Sequence, residues 1–312
     1  MHMHKTCFSS RRVLNTMLLL LLPFLSLAWN EGGHNTAGAI AYYYLKTHNP
    51  STIERVVNAL KQHPWYNTPR WQSKLVGLTA EQKNIALFML ESTFPDDARD
   101  DYSLGGGEQS KWHYVDYPIV PEGSTVKGRQ PDRPNAEEVL LRLSGSIKTE
   151  RNPEQKAIDL CWLFHIMQDL HQPLHTASLF DKQHRDGDKG GNHTYIIFND
   201  AQRSVKLHSY WDRLVTGNFN NIPDKAKNLL QMPQYQEGKL SELKNNPGVK
   251  DWIIKESFKL AKEQAYDNGK VNGTENDPTG VDNAYGKNAR MIGERRVVLS
   301  GIRLAKELSR LF

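Results

Sequence analysis

In this 312-residue sequence His165 stands four residues ahead of Asp169, and His208 four residues ahead of Asp212. Residues four apart share one face of an α-helix, so each spacing asks for a helix that presents an imidazole and a carboxylate together. His165 narrows the choice further. It lies in the apolar run CWLFHIM, where a polar ring buried without a partner would be costly. His175 follows ten residues later, across Pro173, and a proline there should end or kink the helix and swing His175 back toward the same cavity. A single pair of this kind is more often a salt bridge or a capped core histidine. Two pairs and a third histidine after a proline point instead to a metal, since imidazole and carboxylate are ligands that Zn²⁺ takes.

The first 28 residues read as an address rather than as structure. Lys5, Arg11 and Arg12 precede an apolar run whose MLLLLLPFLSL stretch is too short to span a bilayer, and Ser26 and Ala28 place small residues where a signal peptidase cuts. The expectation is a secretory signal over residues 1–28, a mature domain over 29–312, and a secreted or periplasmic product with no membrane anchor. Three basic and no acidic residues leave with the signal, so the formal charge falls from +5 to +2. That balance is weak evidence for a broad polyanion-binding surface. Of two cysteines, Cys7 leaves and Cys161 stays alone, which excludes an intramolecular disulfide. An exported chain of this size must then be held by its core or by metals. Cys161 itself reads most simply as a small buried hydrophobe.

The pattern along the chain predicts helices over Gly38–Leu45, Ser51–Leu60, Thr79–Leu90 (closed by Pro95), Ala136–Ile147, Pro153–Leu170, Asp251–Tyr266 and Asn288–Leu311. Residues 102–135, rich in Gly, Pro and Asp, read as irregular. His193–Phe198 and Ser204–Leu207 alternate well enough for a short hairpin around Asn199-Asp200. Helix dominates, so the expected fold is an all-α single domain with at most a short β-hairpin. Other candidate ligands are Asp96 in FPDDAR just after a helix, His113 in WHYVDYP, and His34 five residues after the expected new N-terminus. His48, His63 and His184 lie in polar segments and receive no role. His171 and His193 flank candidate ligands and read equally as supports for them or as surface residues.

The pieces WNEGGH, FPDDAR, WHYVDYP, HIMQDLHQPLH, GGNH and LHSYWD, with the closing SGIRLAKELSRLF, resemble in order and spacing the zinc-dependent single-strand nucleases, the nuclease S-one and P-one family with its plant and bacterial relatives. The resemblance covers essentially the whole of residues 29–312. It implies the helical phospholipase C / nuclease P-one fold and three zinc ions. One ion would take the α-amine and carbonyl of Trp29 with His34, Asp169 bridging it to its neighbour. That neighbour would also take Asp96, His113 and His165, and the third ion His175, His208 and Asp212. By the same resemblance Asp116 stands beside the attacking water, Asn192 is a phosphate-side donor, and Tyr114 is an aromatic next to the zinc-binding histidine on which a base can stack. Lys189 stands where some relatives carry an apolar residue, a departure that bears on base preference. The implied activity is hydrolysis of single-stranded DNA and RNA to 5′-phosphate products by a monomeric endonuclease, with 3′-nucleotides as further substrates. The rival is zinc-dependent phospholipase C, which shares the fold and a similar site. There the first His lies farther from the N-terminal Trp and the last ligand is Glu, whereas here Trp29 and His34 are five apart and the last candidate is Asp212. A structural zinc protein is a third reading, disfavoured because structural sites are rich in thiolate.

Overall fold

The computed structural model describes residues 29–99, 109–199, 201–244 and 247–312. The expected signal segment, the first part of the irregular stretch and Asp200 of the expected turn lie outside them. The chain begins with α1 (Glu31–His48), whose N-cap Asn30 accepts from the Gly33 amide, and continues through α2 (Pro50–Leu60) and α3 (Pro69–Leu75). Thr79 and Gln82 form a reciprocal capping box that starts α4 (Ala80–Asp97). After an irregular stretch come α5 (Ala136–Ser146) and α6 (Pro153–Asp169), the latter opened by Asn152 as cap and Pro153 in the first turn. The short α7 (Leu207–Asp212) and α8 (Ile222–Gln231) follow. Next, α9 (Val249–Trp252) runs on into π-helical turns at Ile253–Phe258 and Ala261–Ala265. The last element, α10 (Asn283–Leu311), is capped by Asp282.

Helix α1 is buried almost all round from Gly32 to Leu45 because it runs through the middle of the domain, against α4, α8 and α10. Two glycines permit that density. A Cβ on Gly38 would lie 2.6 Å from the Phe88 carbonyl oxygen of α4, and one on Gly301 of α10 would lie 2.5 Å from Ile40. Helix α6, buried over most of its length, packs against α1, α4, α5 and α10, which puts its C-terminal turn at the heart of the domain.

Helices dominate, as the sequence pattern predicts. The hairpin is present as β3 (Tyr195–Phe198) and β4 (Val205–Lys206), and β3 also takes a parallel partner, β5 (Thr279–Val281). A separate parallel pair joins β1 (Tyr117–Ile119) to β2 (Ala177–Leu179), with Tyr117 opposite Ala177. These extra pairings exceed the expected single hairpin because their partners are distant in sequence, where periodicity carries no signal. The β1–β2 pair ties the segment after His113 to the segment after His175. Several boundaries differ: α1 begins at Glu31 rather than Gly38 and so carries His34, α10 begins at Asn283 rather than Asn288, the expected Asp251–Tyr266 helix is largely π-helical, and Pro95 does not close α4, which runs two residues further, to Asp97. Proline removes only its own N–H, and so near a C-terminus the helix loses little; the Ala98 amide still reaches the Phe94 carbonyl at 2.8 Å. Asp96 therefore sits in the last turn of the helix rather than beyond it. Helices α3 and α8 are too short or too polar for the pattern to single them out as elements, and α7 is marked only by the His208/Asp212 spacing. No helix among the described residues is long and apolar enough to cross a membrane.

Candidate metal centre

Six elements bring their polar ends to one buried place. Helix α1 carries His34, the last turn of α4 carries Asp96, and a 3-10 turn at Ser110–His113 carries His113. The end of α6 carries His165 and Asp169, a 3-10 turn at Pro173–Thr176 carries His175, and α7 carries His208 and Asp212. The chain reverses after α6, as Pro173 predicts, and His175 returns to the pocket.

The donors form two neighbouring groups and one set apart. His113 Nδ1, His165 Nε2 and Asp169 Oδ2 lie 2.9–3.2 Å from one another, and Asp96 Oδ1 lies 3.8 Å from both ring nitrogens. The other oxygen of Asp169 lies 3.3 Å from His34 Nε2, so its carboxylate faces one group with each oxygen. His175 Nε2 and His208 Nε2 are 3.1 Å apart, with Asp212 oxygens 4.0 and 3.5 Å from them. Three sets of donor atoms, His34/His165/Asp169, Asp96/His113/His165 and His175/His208/Asp212, each fall within 4.8 Å, the span over which one ion can be shared.

The outer side of each ring decides which nitrogen is free. His165 Nδ1 faces the Ser92 carbonyl at 2.8 Å, His175 Nδ1 the His113 carbonyl at 2.7 Å, and His208 Nδ1 the Gly190 carbonyl at 2.5 Å. A carbonyl oxygen only accepts, so each Nδ1 carries the hydrogen and each Nε2 offers its lone pair inward. His34 Nδ1 is held at 2.6 Å by the Gln168 side-chain oxygen, whose amide nitrogen donates to Ser92 Oγ. Gln172 donates to Asp212 at 2.8 Å, and Arg99 to Asp96 at 2.9 Å. These three supports escape a motif search; Gln168 and Gln172 each stand three residues after a candidate ligand, the one signal that could have found them.

The electrostatics are those of a site that wants cations. Burial alone would raise Asp169, yet the surrounding His165 and His175 rings, with hydrogen bonds from His113 and His165, outweigh it and hold the carboxyl well below its ordinary range. Burial pulls His165 down, but Asp169 and Asp96 together push it up to about 9, so without an ion its inward Nε2 holds a proton between the carboxylates, in the place a metal cation would take. Burial lowers His113 and His175, and burial with the neighbouring His175 ring brings His208 down to about 3. Asp212, desolvated and near Asp169 and Asp96, is raised well above the carboxylate range. Two atoms in the pocket, His34 Nε2 and Asp169 Oδ1, are fully buried with no hydrogen-bond partner among the described residues. An inward lone pair and an unpartnered carboxylate oxygen are what a divalent ion would satisfy, and the all-N/O donor set suits zinc.

Beside the pocket, Asp116 is largely buried, and desolvation with the Asp188 and Asp132 charges pushes its carboxyl up to about 7. Tyr114 is half-buried, its carbonyl taking the Ala136 amide. The Asn192 side chain donates to the Lys189 carbonyl at 2.9 Å, inside its own loop. Trp29 is fully buried, its indole donating to the Gln168 carbonyl at 3.1 Å, while the Asn30 amide reaches the Asp212 carbonyl, also at 3.1 Å. The start of the described chain therefore lies against both Gln168 and Asp212.

A fourth cluster, His63, Glu91 and Cys161, is buried elsewhere. Here His63 Nδ1 accepts the Trp65 amide, so in the neutral ring Nε2 carries the hydrogen and has no lone pair to offer, and the Cys161 thiol is hydrogen-bonded to Glu91, though His63 Nε2 and Glu91 Oε1 lack partners among the described residues. This trio is core packing, and Cys161 is the buried small residue the sequence suggests.

Comparison with known proteins agrees with this geometry. A family model described as S1/P1 Nuclease matches residues 29–312. Endonuclease 5 of Arabidopsis thaliana is 31% identical over 166 residues, covering 49% of this chain and 50% of that protein. Endonuclease 4 of the same plant is 28% identical over 168 residues, with 49% and 50% covered. The chain thus spans about half the length of the curated relatives it matches.

Proposed function

The chain belongs to the S1/P1 nuclease family, and from that membership we propose that it is a zinc-dependent endonuclease that hydrolyses phosphodiester bonds of single-stranded DNA and RNA, with 3′-nucleotides as additional substrates. The observation that carries this reading is the convergence of eight buried or largely buried imidazole and carboxylate side chains, with four imidazole Nε2 lone pairs turned inward and an Asp169 carboxylate facing two groups at once. His34 with the Trp29 amine and carbonyl, then Asp96, His113 and His165, then His175, His208 and Asp212 would hold three ions, Asp169 shared by the first two. When bound, zinc supplies the Lewis acidity that activates water and neutralises phosphate oxygens.

The chain's own residues do the rest. Asp116, with a carboxyl poised near neutrality, orients the attacking water and accepts its proton. Asn192 keeps one amide hydrogen free of its loop for a phosphate oxygen. Tyr114 offers a ring face for an unpaired base, a contact indifferent to base identity. A base in a duplex must first unstack and unpair, at a cost of a few kcal/mol, roughly, and single strands are therefore the better substrate. Removal of residues 1–28 is part of the proposal, because only a chain starting at Trp29 has an amine there, and export follows from the same signal.

The test compares single-stranded and duplex DNA of one sequence, with and without a chelator, and identifies the ends. Faster cleavage of single strands, 5′-phosphate and 3′-hydroxyl ends, and loss of activity on chelation are expected. Products ending in 3′-phosphate, or equal rates on both forms, overturn the reading; preferential hydrolysis of phosphatidylcholine transfers the site to the phospholipase reading.

A further inference from the structure

Between Asp169 and His175 the chain crosses from one group of donors to the other in five residues, and that strap is held from behind by charges the chemistry does not use. Helix α10 carries Arg296 and Arg303, seven residues and thus two turns apart on one face, with side chains 1% and 9% exposed. Both guanidiniums bond Glu256: Arg296 Nη1 at 2.5 Å, and Arg303 with two nitrogens at 2.9 and 2.7 Å. Burying such a trio in a core stabilises less than apolar packing of the same volume. Two cations against one carboxylate also leave donors in surplus, and most of that surplus is spent on the strap.

Arg296 Nε donates to the His171 carbonyl at 3.1 Å, and Arg303 Nη1 to His171 Nε2 at 2.9 Å. Arg296 Nη2 donates to Ser257 Oγ, which in turn donates to the Leu170 carbonyl at 2.6 Å. His171 is consistent at both ends, since its Nδ1 faces the Met167 carbonyl and must donate while its Nε2 must accept. The π-helical turn Ile253–Phe258 makes the arrangement possible: its i→i+5 bonding turns the chain less per residue, so consecutive Glu256 and Ser257 serve one region. Next along the strap, Gln172 bonds Asp212 directly.

We propose that Arg303 and Arg296, acting through His171, are positioning residues that set where the strap holds Asp169, Gln172 and His175, and hence the separation of the two donor groups. This rests on the zinc-nuclease reading for its consequence in activity, but not for its consequence in metal binding.

The experiment uses the full metal-loaded enzyme. Arg303→Met keeps the aliphatic stem and removes the donors; it should weaken zinc affinity or lower kcat by roughly 10–100-fold, the range for partners standing behind metal ligands, with KM little changed. The visible spectrum of the cobalt(II)-substituted protein should shift as ligand geometry relaxes. Arg303→Lys restores one donor and should recover part of the loss. Leu308→Ala, a cavity in the same helix away from the strap, should lower Tm without moving zinc affinity or the cobalt spectrum. If Arg303→Met does not fold, His171→Phe, which keeps the stack on Trp252 but offers Arg303 no acceptor, serves instead. Wild-type affinity, kcat and spectrum in that variant, or losses that track Tm equally in Leu308→Ala, overturn the proposal. Absence of nuclease activity in the wild type, with the affinity and spectral changes still present, would overturn the nuclease reading and leave the brace standing.

Discussion

At the scale of single residues, the carboxylate with most to do is Asp169, whose two oxygens face different donor groups. A terminal ligand serves one ion and a shared one serves two, so Asp169→Ala should lower zinc content by more than one ion and abolish hydrolysis, whereas His208→Ala should cost a single ion. Metal analysis of the two purified variants checks the difference; equal losses would contradict the shared role. A second residue-scale expectation concerns His184, bonded to Asp181 at 3.0 Å in the loop that leads to Gly190. Burial opposes both charges, but the pair outweighs it, raising His184 and lowering Asp181. His184, with its raised pKa, contributes stability fully below its unfolded value and loses it as pH rises through the folded one. Asp181 contributes above its unfolded value and loses it as pH falls. The pair therefore stabilises most between about pH 4 and pH 6.5, the ordinary values of the two groups. His184→Gln should lower Tm more at about pH 5 than at about pH 8, and a pH-independent difference would show that the charge is immaterial.

At the scale of elements, the loop Gly187–Gly191 is the most constrained piece of backbone near the pocket. Gly187, Lys189, Gly190 and Gly191 all have positive φ, Lys189 at 54° without being glycine. Such strain persists where the surroundings over-determine it. Here Asp188 supplies the lock, fully buried and bonded to Tyr266, Thr194 and the Leu179 amide. The loop's product is the Gly190 carbonyl that holds the His208 ring. A Cβ on Gly190 would lie 2.5 Å from the Leu174 oxygen, at φ 62°. Gly190→Ala should destabilise by about 1–3 kcal/mol, the usual cost of such strain, and weaken metal binding at His175/His208/Asp212 more than at Asp96/His113/His165. Thermal unfolding and stepwise zinc titration measure the two effects; a variant with unchanged Tm and zinc affinity would show that the loop does not constrain the site.

At the scale of the whole molecule, one early segment touches both halves of the centre. The indole of Trp29 is fixed on Gln168, which holds His34, and the Asn30 amide is fixed on Asp212. If the Trp29 amine is a ligand, even one added residue before it converts the amine to an amide. Expression with an N-terminal extension should then give a folded protein with reduced zinc and much reduced activity, recovered by proteolytic removal of the extension. Full activity and full zinc in the extended form would show that the amine is dispensable.

Much of this protein is legible in its sequence, because the informative signals are local. His165/Asp169 and His208/Asp212 announce helical faces by their spacing, Pro173 announces the reversal that returns His175, and the major helices follow from apolar periodicity. Asp96, His113 and His34 are legible as ligand-type residues, but their company is not, since they come from different elements and meet only by long-range packing. Nor does the sequence show that Pro95 stays inside α4, that β1 pairs with β2 and β3 with β5, or that Gln168 and Gln172 steer ligands. Pro95 stays because it lies so near the end of α4 that the helix loses little by it, and the strand pairings and the glutamine supports depend on partners far away in the chain. The same holds for Arg296 and Arg303. On the sequence they are two charges on an otherwise ordinary helix, and only the tertiary structure turns them inward, because Glu256 and the strap after Asp169 are there to receive them. Periodicity reports which face of an element is buried; what that face meets is decided when the chain closes on itself.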